Sequence, residues 1–186
     1  MIIDYSVKLD EKDKTRFLTA LDRVWKSSND QIQTEMPKRG AIRFLTLLKS
    51  NVISQRYGST YKPLNKQYDE WKGTVGKFWF LKGDFLRTLS VFVYNPWGKI
   101  GWMAGVPQGA KDSGGKSWFY PRDSEKQNKY GPRSIPTYAY YGEFGHKGKH
   151  PQPPRPIFFP TLVDYKRDEW PKQGDETLKY IGRQWR

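Results

Sequence analysis

Apolar positions fall along this chain in blocks of different period. Near the start, Ile3, Tyr5, Val7 and Leu9 alternate with polar residues, the period of a half-buried strand. Phe17, Leu18, Leu21, Val24, Trp25, Ser28 and Ile32 then recur at helical spacing, which predicts an amphipathic helix over 13–35 with Asp10 or Asp13 as its cap. Pro37 suits the first turn of a second helix, whose stripe is Ile42, Leu45, Leu48, Val52 and Ile53. Two helices so striped are expected to pack on each other around a core.

Beyond Gly58 the pattern shortens. Pro63 turns the chain, Asn65 offers a cap for a short helix with Tyr68 and Trp71, and Phe78, Trp79, Phe80 and Leu81 form a dense apolar cluster. Asp84 can cap a one- or two-turn helix with Phe85, Leu86 and Leu89. The runs 90–94 and 99–103 around Asn95-Pro96 read as an antiparallel hairpin. Residues 107–133 turn Gly-, Ser- and Lys-rich around Trp118, Phe119 and Tyr120, with Arg122 beside them. A loop this long inside one domain is uncommon, and its aromatic island marks it as a candidate docking arm. Residues 137–144 are strand-like, 145–154 form a Gly/His/Lys/Pro loop, and the tail from Thr161 is helical, split by Pro171.

The expected fold is α+β: one domain of 186 residues in which an antiparallel β-sheet packs against two or three α-helices, with a long projecting loop at 107–133 and a C-terminal helical extension at 161–186. Aromatic residues are 16% of the chain, so its core is expected to be richer in Trp, Tyr and Phe than in Leu and Ile. The net charge of +14 attracts polyanions or an acidic partner. Cysteine is absent, which excludes disulfides, thiol chemistry and Cys-based zinc sites, and fits a reducing compartment. The N-terminal segment lacks a signal-like apolar core, and no stretch reaches membrane-span length.

A search for chemistry comes back empty, so no catalytic, cofactor or metal residue is assigned. The two histidines, His146 and His150, share one Gly/Pro loop, where their spacing does not suit a metal. Segments 73–77 and 114–117 miss the spacing of a phosphate-binding loop. The adjacent carboxylate pairs Asp69-Glu70, Asp168-Glu169 and Asp175-Glu176 point apart on helix surfaces. Glu143 stands alone in an aromatic segment, and an ion pair with Arg155 is its expected role. Arg155, fixed between Pro154 and Pro156, is well placed for a carboxylate fork. Gly145 is expected to let the chain turn sharply, and Phe158 and Phe159 to anchor the final helix.

Two motif groups carry a resemblance. Tyr138-Ala139-Tyr140-Tyr141-Gly142-Glu143-Phe144-Gly145, a basic loop, then Pro154-Arg155-Pro156-Ile157-Phe158-Phe159-Pro160 form one. Tyr61-Lys62-Pro63-Leu64 with Tyr68, then Leu81-Lys82-Gly83-Asp84-Phe85-Leu86, form the other. In order and spacing these resemble the tail-completion, or head–tail joining, proteins of the bacteriophage neck. Lys82 departs from that pattern, and the loop 107–133 and the tail are longer than it implies.

The resemblance implies a structural virion assembly protein and no enzyme. It implies a homo-oligomeric ring, hexameric by analogy, joining the viral tail to the head. Its partners would be a head-side connector or stopper and a tail terminator or tail tube/sheath protein, with DNA passing through the channel. No cofactor is called for and no membrane is involved; the location would be the virion, and the host cytoplasm during assembly. The structural joint would be Glu143, Gly145, Arg155, Pro156 and Phe158. The alternative is a basic nucleic-acid-binding module contacting DNA non-specifically, with the aromatics of 118–120 stacking on bases.

Overall fold

A computed structural model describes residues 10–64, 66, 70, 78–79, 84–94, 101–111, 135–145, 147 and 152–184. It is an α+β fold, mostly helical, with a two-stranded antiparallel sheet. Asp10 caps α1 (Glu11–Asp30) by accepting the Lys12 N–H at 2.9 Å. A π-turn at Gln31–Glu35 joins it without a break to α2 (Met36–Ser54). The Met36 N–H reaches back to the Gln31 carbonyl, five residues away. Pro37 explains this: its ring would clash with the carbonyl four residues earlier, and the wider turn makes room. Helix α2 ends at Gln55, in the left-handed region at φ 54°.

Helix α3 (Asp84–Thr88) leads into β1 (Ser90–Tyr94), which pairs with β2 (Gly101–Gly105) in the register Ser90↔Gly105, Phe92↔Met103, Tyr94↔Gly101. The hairpin lies against α2, where Lys38 sits 5.5 Å above the Trp102 ring. Then come α4 (Ile135–Phe144), α5 (Phe158–Asp168) and α6 (Trp170–Arg183), the break at Glu169 falling just before Pro171. Leu48 and Val52 of α2, Phe85 and Leu89 around α3, Ile135 and Ala139 of α4, Ile157, Phe78 and Trp79 make one core cluster. Its most deeply buried members, Leu48, Leu89, Ile157 and Val52, are aliphatic rather than aromatic.

Several expectations need correction. Residues 137–144 are helix, not strand. Helix α1 does not share the core: none of its residues is buried, and Trp25 is 71% exposed. Ile42, Ile53 and Phe159 also point outward. The expected strand at 2–9, the short helix around Tyr68 and Trp71, and the arm residues Trp118, Phe119, Tyr120 and Arg122 lie outside the described residues.

Helix α5 runs antiparallel to α2 and is bolted to it by a polar chain. Asn51 donates to Thr161 Oγ1 at 3.0 Å and to Tyr57 OH at 3.2 Å. The Tyr57 hydroxyl donates to Asp164 Oδ2 at 2.6 Å, and that carboxylate also meets Arg56 at 3.2 Å and Arg167 at 3.0 Å. At the other end of α2, Gly40 leaves space for the Tyr165 hydroxyl, where a Cβ would come within 2.9 Å. Tyr165 donates to the buried Gln173 at 2.8 Å, and Gln173 donates to the Met36 carbonyl. Replacing Asn51 by Ala leaves the Thr161 hydroxyl without its donor, and we expect a loss of about 2 kcal/mol in urea unfolding. Lys49→Ala, on the same helix but outside this chain of bonds, should cost less than about 0.5 kcal/mol.

Candidate functional site

The residues singled out from the sequence converge on one joint, where α4 ends and α5 begins. Helix α5 has no side chain of its own to cap it, because its N-cap residue is Ile157. Glu143, one residue from the end of α4, supplies the cap from outside. Its carboxylate accepts the N–H groups of Ile157 at 2.8 Å, Phe158 at 3.0 Å and Phe159 at 2.8 Å. The next residue, Pro160, has no N–H, and Thr161 N–H begins the helical ladder by donating to the Ile157 carbonyl at 3.2 Å. Every orphan donor of the first turn is therefore satisfied. The carboxylate also lies at the positive end of the α5 dipole.

The glycines on either side of Glu143 have separate tasks. Gly145 takes φ +79° and ends α4, its N–H donating to the Tyr141 carbonyl at 2.8 Å. A Cβ there would also fall 2.9 Å from the Gln152 carbonyl oxygen. Gly142 is in contact with Trp79, whose ring would meet a Cβ at 2.0 Å. Trp79 itself is held at φ +62°, a costly conformation for so large a residue. Three contacts hold it there. Gln55 bonds both the N–H and the carbonyl of neighbouring Phe78, at 2.6 and 3.0 Å. The indole N–H donates to the Arg155 carbonyl at 3.1 Å. The ring stacks at a tilt 4.8 Å from Phe85, and Phe158 meets both rings edge-on.

The expected ion pair between Glu143 and Arg155 does not form. Both carboxylate oxygens are taken by backbone N–H groups. The Arg155 guanidinium lies 5.3 Å from the Phe78 ring centre and reaches the Lys62 carbonyl at 3.4 Å. The Arg155 backbone still serves the joint, because its N–H donates to the Gly142 carbonyl at 2.7 Å. The Pro156 carbonyl accepts from the Tyr61 hydroxyl. Gly145, Arg155, Pro156 and Phe158 thus do meet around Glu143, while His146 and His150 lie outside the described residues.

Two phenols border this site. Burial, and then the nearby Glu143 charge, push the Tyr61 hydroxyl above its ordinary 10.0. Burial, then its bond to Asp164, does the same for Tyr57. Both phenols are kept as donors, the opposite of an activated nucleophile or base. Among the described residues, no group of three or more His, Asp or Glu side chains gathers at one point. No described helix is long and apolar enough to cross a membrane.

What the arrangement offers instead is surface. Next to the joint, Tyr140 and Phe144 project together, their rings 5.0 Å apart, with Phe144 68% exposed. Phe159, also 68% exposed, continues into Leu162 and Val163 along the outer face of α5. A second apolar face is the stripe that runs along α1 into the π-turn, where Phe17, Leu18, Trp25 and Ile32 are all more than half exposed. Sequence reasoning found the α1 stripe but assigned it to the core. It missed the face beside the joint, although Phe159 and Phe144 were visible at helical spacing from Leu162–Val163 and Tyr140 respectively.

Glu143→Ala should destabilise the chain by about 3 kcal/mol, since three backbone N–H groups, that of Ile157 buried, lose a charged acceptor; Glu143→Gln, which keeps one carbonyl oxygen, should recover part of that in thermal unfolding. Gly142→Ala should cost about 3 kcal/mol by displacing the Trp79 ring, with a matching change in tryptophan fluorescence. Alkali tests the buried phenols. Their folded-state values lie above the unfolded 10.0, so their contribution is fully present below pH 10 and fades as the pH rises through the folded values. Urea midpoints should therefore hold up to about pH 10 and fall from there towards pH 12, and Tyr61→Phe should flatten that fall.

The chain matches no protein-family model, no curated protein and no solved structure.

Proposed function

We propose that this chain is a non-enzymatic assembly subunit of the phage neck, a tail-completion protein that forms part of a ring joining the tail to the head connector. The observation that carries the reading is the placement of α1. A 20-residue amphipathic helix stands with no buried residue and a stripe of large apolar side chains turned to solvent. An isolated helix with such a stripe is marginal in water and gains stability by docking. The exposed face beside the joint supports the same reading. So does the use made of the YAYYGEFG and PRPIFFP residues: Glu143, Gly142, Gly145, Arg155 and Ile157 cap, turn and anchor one joint.

Binding energy does the work in this reading. The head-side connector or stopper and the tail terminator or tube are the neighbours, and the +14 charge complements acidic rings or the DNA in the channel. The test is reconstitution. Heads and tails made without this protein should stay apart, and adding the purified chain should restore joined, infectious particles. A chain lacking residues 109–129 should remain folded by circular dichroism and restore few or none. Joining that is unaffected by omitting the protein would sink the proposal. Tight, salt-sensitive binding to generic DNA without any effect on joining would favour the nucleic-acid module instead.

A further inference from the structure

The two apolar faces sit at opposite ends of α2. Asn51, near its C-terminal end, bonds Thr161, two residues beyond Phe159. Met36, its first residue, is held by Gln173, and α1 runs on from there through the π-turn. The helix between those two anchor points spans about 22 Å at 1.5 Å per residue.

The faces also differ in charge. Beside the joint, the exposed charged side chains among the described residues include Lys147 and Lys166, while the carboxylates of Glu143 and Asp164 are buried and engaged. Two copies of that face would bring lysines together. Helix α1 is nearly neutral, with five basic and four acidic residues, and its acids are exposed. Asp13 and Asp22, beside the stripe, are paired with Arg16 and Lys26, and Lys14, one turn before Leu18, with Glu11. An aromatic face with a cationic rim repels a copy of itself, but not the apolar stripe of a nearly neutral helix whose carboxylates are paired along its own surface. A contact of α1 with another α1 would leave the joint face uncovered.

We infer that α1 of one copy, with the π-turn that follows it, docks across the joint face of the next, so that Phe17, Leu18, Trp25 and Ile32 cover Tyr140, Phe144, Phe159, Leu162 and Val163 in a head-to-tail contact. The inference rests on the reading of the chain as an assembly subunit and names the surfaces it uses. Aromatic side chains hide roughly 150–250 Å² each when fully buried. The two faces together then remove on the order of 1,000 Å² of apolar surface, and flanking polar stems bring the total into the range of specific interfaces. Unlike faces on one molecule generate rings when the rotation closes and filaments when it does not.

Two double variants test this. Phe17→Ser with Trp25→Ser disables one face, and Phe144→Ser with Phe159→Ser disables the other. All four residues are exposed, so both variants should fold, with circular dichroism as the check. The wild-type chain should self-associate in sedimentation velocity as concentration rises, and each variant alone should stay monomeric. Mixed one to one, they should form a dimer and stop there, because each retains the face the other lost. Since the chain has no cysteine, Trp25→Cys and Phe159→Cys chains mixed under oxidation should cross-link to each other faster than either does to itself. Self-association of the Phe144/Phe159 variant alone, or a Trp25→Cys homodimer as the main product, would mean that α1 meets α1 and would overturn the inference. In that outcome, joining of heads to tails would still stand. A wild-type chain that stays monomeric overturns it too, and if that chain also fails to join heads and tails, the proposed function falls with it.

Discussion

The Glu143 carboxylate is the constraint around which the rest of the described structure is arranged. It sits at the end of one helix and closes the start of another, taking three backbone N–H groups that no local side chain can reach. Because Pro160 removes the fourth donor, the first turn of α5 is complete only when α4 is docked. The two helices therefore form together. A carboxylate shared among three N–H groups is a strong acceptor, and its loss would strand backbone donors rather than simply delete a contact.

That junction explains the unusual features nearby. Trp79 takes up a left-handed backbone because its ring occupies the space Gly142 leaves open and its N–H finds the Arg155 carbonyl. Arg155 stands between prolines, and its own N–H and carbonyl meet different partners, the Gly142 carbonyl and the Trp79 indole. The start of α5 is then fixed in place, and Asn51, Tyr57 and Asp164 hold its next two turns against α2. Strain at one residue is offset by a ring stack, a hydrogen bond and a paired Gln55 clamp.

Much of this was legible in the sequence, and the failures have physical causes. The helical period of α1 and α2, the hairpin, Asp84 at the head of α3 and the break before Pro171 follow from spacing and local caps. The five joint residues were identifiable as a group. Residues 137–144 were misread because Tyr and Phe favour strands on average, but Pro136 in the first turn and Gly145 just past the end frame a helix. The capping bond was hidden because its partners lie fourteen to sixteen residues apart and Ile157 carries no capping signal. The mistake about α1 is of another kind. Periodicity says that a helix has an apolar face, and nothing about what that face will meet.

Helix α1 is tied to this framework and only partly covered by it: Leu21 and Val24 are half-buried, while Phe17, Leu18 and Trp25 stay exposed. It continues α2 through the π-turn, so its direction is set by a helix that is itself anchored at both ends by Gln173 and Asn51. Its charges are largely matched along its own surface, in Lys14–Glu11, Arg16–Asp13 and Lys26–Asp22 pairs at 3.4, 3.7 and 2.7 Å. Exposed pairs of this kind add little stability, but they cancel the field that a run of free lysines would project toward a polyanion. The large positive charge of the chain is thus carried almost wholly by the other residues, since α1 contributes only +1 of the +14. A helix that is directed, apolar on one side and electrically quiet is suited to recognising a protein surface by shape and burial. The residues that would answer a nucleic acid lie elsewhere in the chain.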